Sequence, residues 1–189
     1  MSPRTINRLK LLGIGAIAVA PVLGSYLLYW FWSPSGYSNY GTLLEPRPVP
    51  ALSVELADGK PFSFTQLRGR WILVVLDSGQ CSAQCQKKLW TIRQVRQTQG
   101  KDIARIERVL VIEDEGTPAD QVTQDYAGTW FVRSQASVLR EAFAAERSNR
   151  NHIYLVDPRG NVMLRFPEDA DPKRMIKDIS RLLKYSRIG

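Results

Sequence analysis

The chain has 189 residues, 44% hydrophobic and 23% charged, with two cysteines, one histidine and a formal net charge of +8. That balance excludes wholesale disorder, and the length allows one domain of roughly 150 residues beside an apolar N-terminal segment. A zinc hydrolase site lacks its second histidine, and no glycine-rich phosphate loop is present, because Gly13 and Gly15 fall inside the apolar segment.

Residues 11–32 carry no charge, and 22 residues in helical form span the roughly 30 Å hydrocarbon core of a bilayer. Arg4, Arg8 and Lys10 precede this segment, and the next basic residue is Arg47. The charge asymmetry places residues 1–10 in the cytoplasm and the remainder across the membrane. Tyr26, Tyr29, Trp30 and Trp32 crowd the exit end, where amphipathic rings sit at headgroup level. Ala18-Val19-Ala20 has the look of a signal-peptide cleavage site, but Pro21 follows directly and the apolar run continues, so an uncleaved transmembrane anchor is expected. No Arg-rich and Ser-rich presequence precedes it, which favours a bacterial inner membrane with a periplasmic body.

Without Arg4, Arg8 and Lys10, the 26 basic residues fall to 23, against 18 acids. This moderate, unclustered excess suits a domain near anionic headgroups or an acidic partner, and it gives no nucleic-acid footprint. Residues 33–50 are rich in Gly, Ser and Pro without a period of 2 or 3.6, as expected of a linker. The folded body is expected over 51–189.

Short extended pieces at 51–56 and 61–64 flank Asp58-Gly59, a hairpin signal. The continuous apolar run 71–76 predicts a strand buried on both faces. Residues 83–99 place Leu89, Ile92 and Val95 at helical spacing among Lys, Arg and Gln. A second buried strand is expected at 109–112, then a helix near 119–126, a strand at 130–132 and a helix over 136–146. Residues 152–156 and 162–166 flank Asp157-Pro158-Arg159-Gly160-Asn161, a second hairpin. A terminal amphipathic helix over 171–185 starts with Asp171 as N-cap and Pro172 at the first helical position. This order predicts an α/β thioredoxin-like fold, a central mixed sheet flanked by helices, after one N-terminal transmembrane helix.

The chemistry rests on Cys81 and Cys85, which follow the first buried strand and open the first long helix. A helix N-terminus favours a thiolate, and Lys87 and Lys88 add positive charge nearby. An i, i+4 spacing puts both sulfurs on one helix face, where they can close a disulfide or hold one soft ion such as Cu(I). A plain stapling disulfide or inert buried thiols are the alternatives. Asp77, at the end of the preceding strand, is a candidate to tune a thiol or to make a turn. The paired acids Glu113 and Glu115 follow a strand, where they suggest either acid–base work or, as expected here, an exposed loop.

The anchor, Asp58-Gly59-Lys60 leading into Leu67-Arg68-Gly69-Arg70-Trp71, the three-residue gap between Cys81 and Cys85, and Tyr154-Leu155 before Asp157-Pro158-Arg159-Gly160 resemble the Sco/SenC family. These are thioredoxin-like copper chaperones of cytochrome c oxidase assembly, and the resemblance runs loosely over residues 40–170. It implies copper held by Cys81, Cys85 and a distal histidine, with a cytochrome c oxidase subunit or another copper chaperone as partner. The family histidine corresponds to Asn149, whereas the histidine of this chain is His152, two residues before Tyr154. A displacement of three along an extended strand changes the face from which a side chain projects. Ser82 and Gln86 stand where the family commonly has prolines.

Three functions follow. With His152 as third ligand the site binds and hands over copper. Without it, two thiols serve thiol–disulfide exchange that keeps partner cysteines reduced, with Cys81 as the more exposed, attacking thiolate. In the third, a non-catalytic body docks on the oxidase through Trp90, Trp130 or Phe131 as exposed anchors, although each lies in a predicted helix or strand, where such a ring is more often core.

Overall fold

A computed structural model describes residues 3–31, 39–143, 145–186 and 188. The chain divides into two compact units, Met1–Ser38 and Asn39–Gly189. In the first, helix α1 spans Pro3–Phe31 and contains Pro21. Its stretch Lys10–Phe31 is 22 residues long, with mean hydropathy 2.0, long and apolar enough to cross a membrane. Trp32 and the first part of the expected linker, 33–38, lie outside the described residues.

In the second unit the chain forms β1 (Thr42–Pro48), β2 (Val54–Leu56), β3 (Pro61–Phe62) and β4 (Trp71–Asp77), then α2 (Ala83–Gln97) and β5 (Ile106–Ile112). It continues through α3 (Asp120–Asp125), β6 (Trp130–Arg133), α4 (Ser137–Ala142), β7 (Ile153–Val156), β8 (Asn161–Arg165) and α5 (Pro172–Tyr185). The strands make one mixed sheet in the order β1-β8-β7-β4-β5-β6-β2-β3. Strands β4, β5 and β6 run parallel, and β7 lies antiparallel on the other side of β4.

The central strand shows why the apolar run 71–76 takes this place. Leu73 and Val75 point into one core with α2 and α5, and Ile72, Val74 and Leu76 point into the other, with Phe62, Leu139 and Phe143. Alternation at period 2 makes both faces of β4 apolar, which only a strand covered on both sides tolerates. Helix α5 packs Met175, Ile179 and Leu183 inward, and the Asp171 carboxylate accepts from the Lys173 N–H at 2.9 Å as its N-cap. Asp178, buried on the inner side of α5, accepts from the N–H groups of Tyr40 and Gly41 at 2.7 and 3.0 Å.

Several expected boundaries shift by a few residues, and two change more. The linker read over 33–50 contains β1, which pairs with β8 along the sheet edge, and the body therefore starts well before Ala51. Pro46 and Pro48 erase any strand period, and an edge strand tolerates them because its outer N–H groups need no ladder partner. Helix α4 ends at Ala142 rather than 146, where Phe143 turns into the core against Tyr154, ring centroids 5.3 Å apart.

Candidate functional site

Strands β4 and β5 deliver their carboxyl ends side by side, the usual place for a site in parallel sheets. The chain leaves β4 at Asp77, turns through Ser78, Gly79, Gln80 and Cys81, and enters α2 with Ser82 as N-cap. The Ser82 hydroxyl accepts from the Cys85 N–H at 3.5 Å, and the Gln86 side-chain amide donates to the Cys81 carbonyl at 3.1 Å. Cys85 is the third residue of a helix whose first turn holds no acid. Its thiolate, once formed, faces unsatisfied N–H groups and the positive end of the helix dipole.

Cys81 and Cys85 are joined as a disulfide with Cα atoms 5.0 Å apart. An i, i+4 pair within a regular helix lies about 6 Å apart, so the shared-face geometry expected from spacing is not the one used. Instead Cys81 lies before the cap with φ of 41°, in the left-handed region that a non-glycine residue enters at a cost of order 1 kcal/mol. That step out of the helix brings its sulfur to Cys85. Neither half is open to solvent: Cys81 is 1% and Cys85 0% exposed, in the core with Leu89, Ile92 and Ile153. The expectation that Cys81 is the more exposed sulfur therefore fails.

The cover over this turn is a second loop, residues 113–118. Asp114 accepts from the Gly79 N–H at 2.9 Å and the Gly116 N–H at 3.0 Å. The Ser78 hydroxyl and these N–H groups, with the charge of Arg150, hold the Asp114 carboxyl below the usual carboxylate range. The two backbones touch so closely that a Cβ on Gly79 would fall 2.0 Å from the Gly116 carbonyl oxygen.

Beneath the turn lies a polar network. Lys88 donates to Asp77 at 2.6 Å, with both side chains largely buried, and also to the Arg150 carbonyl. Lys88 is thus committed to Asp77, and Lys87 pairs with the exposed Asp169 at 3.0 Å. Glu113 is not an exposed loop acid: its side chain is 3% exposed and accepts from Arg150 Nε at 2.8 Å and Asn149 Nδ2 at 2.9 Å. The Glu113 carboxylate in turn raises the pKa of Arg150. Glu115 alone fits the exposed-loop reading, with its carboxylate accepting from Gln135.

His152 does not join the cysteines. It precedes β7 in extended conformation, so it shares the face of Tyr154, whose ring centroid lies 6.2 Å away, while Ile153 points to the face that holds the disulfide. Its Nδ1 meets the Phe166 carbonyl at 2.8 Å and therefore carries the proton. Its surroundings are the charged side chains Glu146, Arg147, Arg165 and Glu168. Asn149, at the position of the family histidine, is held by Glu113. Among the described residues no group of three or more His, Cys, Asp and Glu side chains is placed to hold a metal ion. The set Cys81, Cys85 and His152 does not fit a three-ligand copper site in this conformation.

An α/β sheet with a two-cysteine turn between its central strand and first long helix defines a thioredoxin-like thiol domain. The chain belongs to the family of the transmembrane-like, thioredoxin-like, C-terminal domain, whose model matches residues 71–186. No curated protein matches the sequence. Among solved structures, apo Sco1 from Thermus thermophilus matches with a TM-score of 0.61 at 19% identity, covering 78% of this chain and 99% of that one. Copper-bound yeast Sco1 matches at 0.57 and 16%, covering 80% and 96%. BsSco, a member of the Sco family of cytochrome c oxidase assembly proteins with a disulfide switch, matches at 0.55 and 15%, covering 75% and 99%. At these identities the likeness is one of fold: the body has the Sco-type thioredoxin fold.

Proposed function

We propose that this chain is a membrane-anchored thiol–disulfide exchange protein of the Sco type, acting on cysteines of a partner in oxidase assembly. The observation that carries the reading is the Cys81–Cys85 disulfide at the N-terminus of α2, with Cys81 in a left-handed turn. A bridge closing so short a loop adds little stability by restricting the unfolded chain. A strained residue at the mouth of a helix is a feature of reactive sites. The span Lys10–Phe31 holds the domain, with residues 1–10 on the cytoplasmic side and the body on the far side, in keeping with the basic flank Arg8 and Lys10.

In the reduced state, one thiolate attacks a sulfur of a partner disulfide and forms a mixed disulfide, and the partner's second sulfur leaves as a thiolate. The other cysteine of the pair then attacks its own chain's sulfur in that mixed bond. The partner departs as a dithiol, two electrons have passed to it, and Cys81–Cys85 is re-formed. A dithiol donor restores the starting state. Because both sulfurs are buried, each cycle includes local opening of the 78–82 turn away from the 113–118 loop. Copper is bound in the yeast Sco1 structure, but the third ligand required here faces the other side of the sheet, and no step is routed through the metal.

The test is reduction of a disulfide-bearing peptide by the full chain after prior reduction. Wild type should oxidise its own pair stoichiometrically, and of Cys81→Ser and Cys85→Ser the variant that keeps the attacking thiol should accumulate a mixed disulfide. A reduced wild-type chain that leaves the peptide disulfide intact contradicts the reading.

A further inference from the structure

Helices α2 and α5 lie on the same side of the sheet and share one core, so their outer surfaces form one face of the domain. On α5, Lys173, Arg174, Lys177, Arg181 and Lys184 fall within an arc of about 100° at 100° per residue. The acid within α5, Asp178, is buried on the inner side and used by the Tyr40 and Gly41 N–H groups, so the outer arc carries no carboxylate. Among the described residues Lys173, Lys177 and Lys184 take part in no ion pair.

Aromatic rings accompany this charge. Tyr185 closes α5 at 74% exposure, and Arg105 donates to the carbonyls of Ser186 and Ile188. On α2, Trp90 points away from the core at 49% exposure, against the expectation that a ring in this helix is core. Trp130 and Phe131 do sit against or within the core, the Trp130 indole donating to Glu107 at 3.2 Å. Helix α2 itself contains no acid. Basic side chains with interspersed Trp and Tyr are the composition of a surface that lies on anionic headgroups.

We infer that the outer α2–α5 face docks on the anionic lipid surface of the membrane that holds α1. The inference rests on the anchor reading above. Only seven residues separate Phe31 from Asn39, and an extended chain reaches at most about 3.6 Å per residue. That reach, at most about 29 Å, is a few times the roughly 8 Å over which a surface potential decays at physiological salt, so the tether lets the body meet the surface without itself holding it there. An acidic protein partner would call on the same lysines, but the exposed Trp90 and Tyr185 and the short tether favour lipid.

The test uses the full chain in nanodiscs of pure phosphatidylcholine or of phosphatidylcholine with phosphatidylglycerol. Lysines are acetylated briefly with an N-hydroxysuccinimide ester and read by mass spectrometry, with Lys60, exposed in the β2–β3 turn and paired with Asp58, as internal reference. Docking predicts labelling of Lys173, Lys177 and Lys184 reduced roughly threefold or more relative to Lys60 in the anionic discs alone, and restored at high salt. Equal labelling in the two lipids overturns the inference while leaving the anchor intact. Protection that depends on an added acidic protein overturns it in favour of that partner. A chain that stays with neither disc sinks the anchor reading and the docking with it.

Discussion

Gly79 and Gly116 meet backbone to backbone across the cysteine turn, in a gap where a single Cβ on Gly79 would fall 2.0 Å from the Gly116 carbonyl oxygen. This contact, tied by Asp114, packs the 113–118 loop against the turn that leads to Cys81. Gly79→Ala should force the two loops apart at a cost of roughly 1–3 kcal/mol. The same change should speed reduction of Cys81–Cys85 by a small-molecule dithiol. Denaturant melts and thiol-trapping rates check the two effects, and a stability loss with unchanged reduction rate would show that this contact does not gate the sulfurs.

The Asp114 carboxyl titrates below its ordinary value because Ser78, Gly79 and Gly116 donate to the ionised form. Its contribution is fully present above the unfolded aspartate pKa of about 3.9, and it is lost as pH falls from there toward the lower folded value. Stability followed by circular dichroism between pH 6 and pH 2, roughly, should show this loss in wild type and less of it in Asp114→Asn.

Lys88 and Asp77 form a largely buried pair at 2.6 Å. Removing the cation alone leaves a largely buried carboxylate whose remaining hydrogen bond among the described residues is from the Ser78 N–H at 2.8 Å, so Lys88→Met should lose roughly 3 kcal/mol or more in urea unfolding. Adding Asp77→Asn should recover part of that loss. A double variant as unstable as the sum of its single changes would mean that the pair is not coupled.

His152 faces away from the sulfurs, with Nδ1 engaged by the Phe166 carbonyl. Anaerobic Cu(I) titration of the reduced chain against a competing chelator should therefore give the same affinity for wild type and His152→Ala, within about a factor of two. A drop of tenfold or more would place His152 at the thiols and revive the three-ligand site.

Much of this arrangement is written locally. The run at 71–76 and the capped period of α5 each specify their element without help from distant residues. Strand β1 is different, because its reason for being extended lies in β8, where Leu43 pairs with Leu164 far along the chain. The partnership of Cys81 and Cys85 is legible in their spacing, but their burial is not, since it depends on the core that Leu89, Ile92 and Ile153 share with them. Glu113 reads as an exposed acid until Asn149 and Arg150 are brought to it from 36 and 37 residues away. Alternation from Tyr154 does expose the problem with His152, because residues two apart share a face of a strand.

The most direct test of the thiol-exchange account is the equilibrium of Cys81–Cys85 in the full chain against graded glutathione and dithiothreitol buffers, read by alkylation and mass shift. A working pair should show one reversible two-electron transition above about −300 mV. A bond that stays closed under more reducing conditions than that would mark a structural staple and contradict the account.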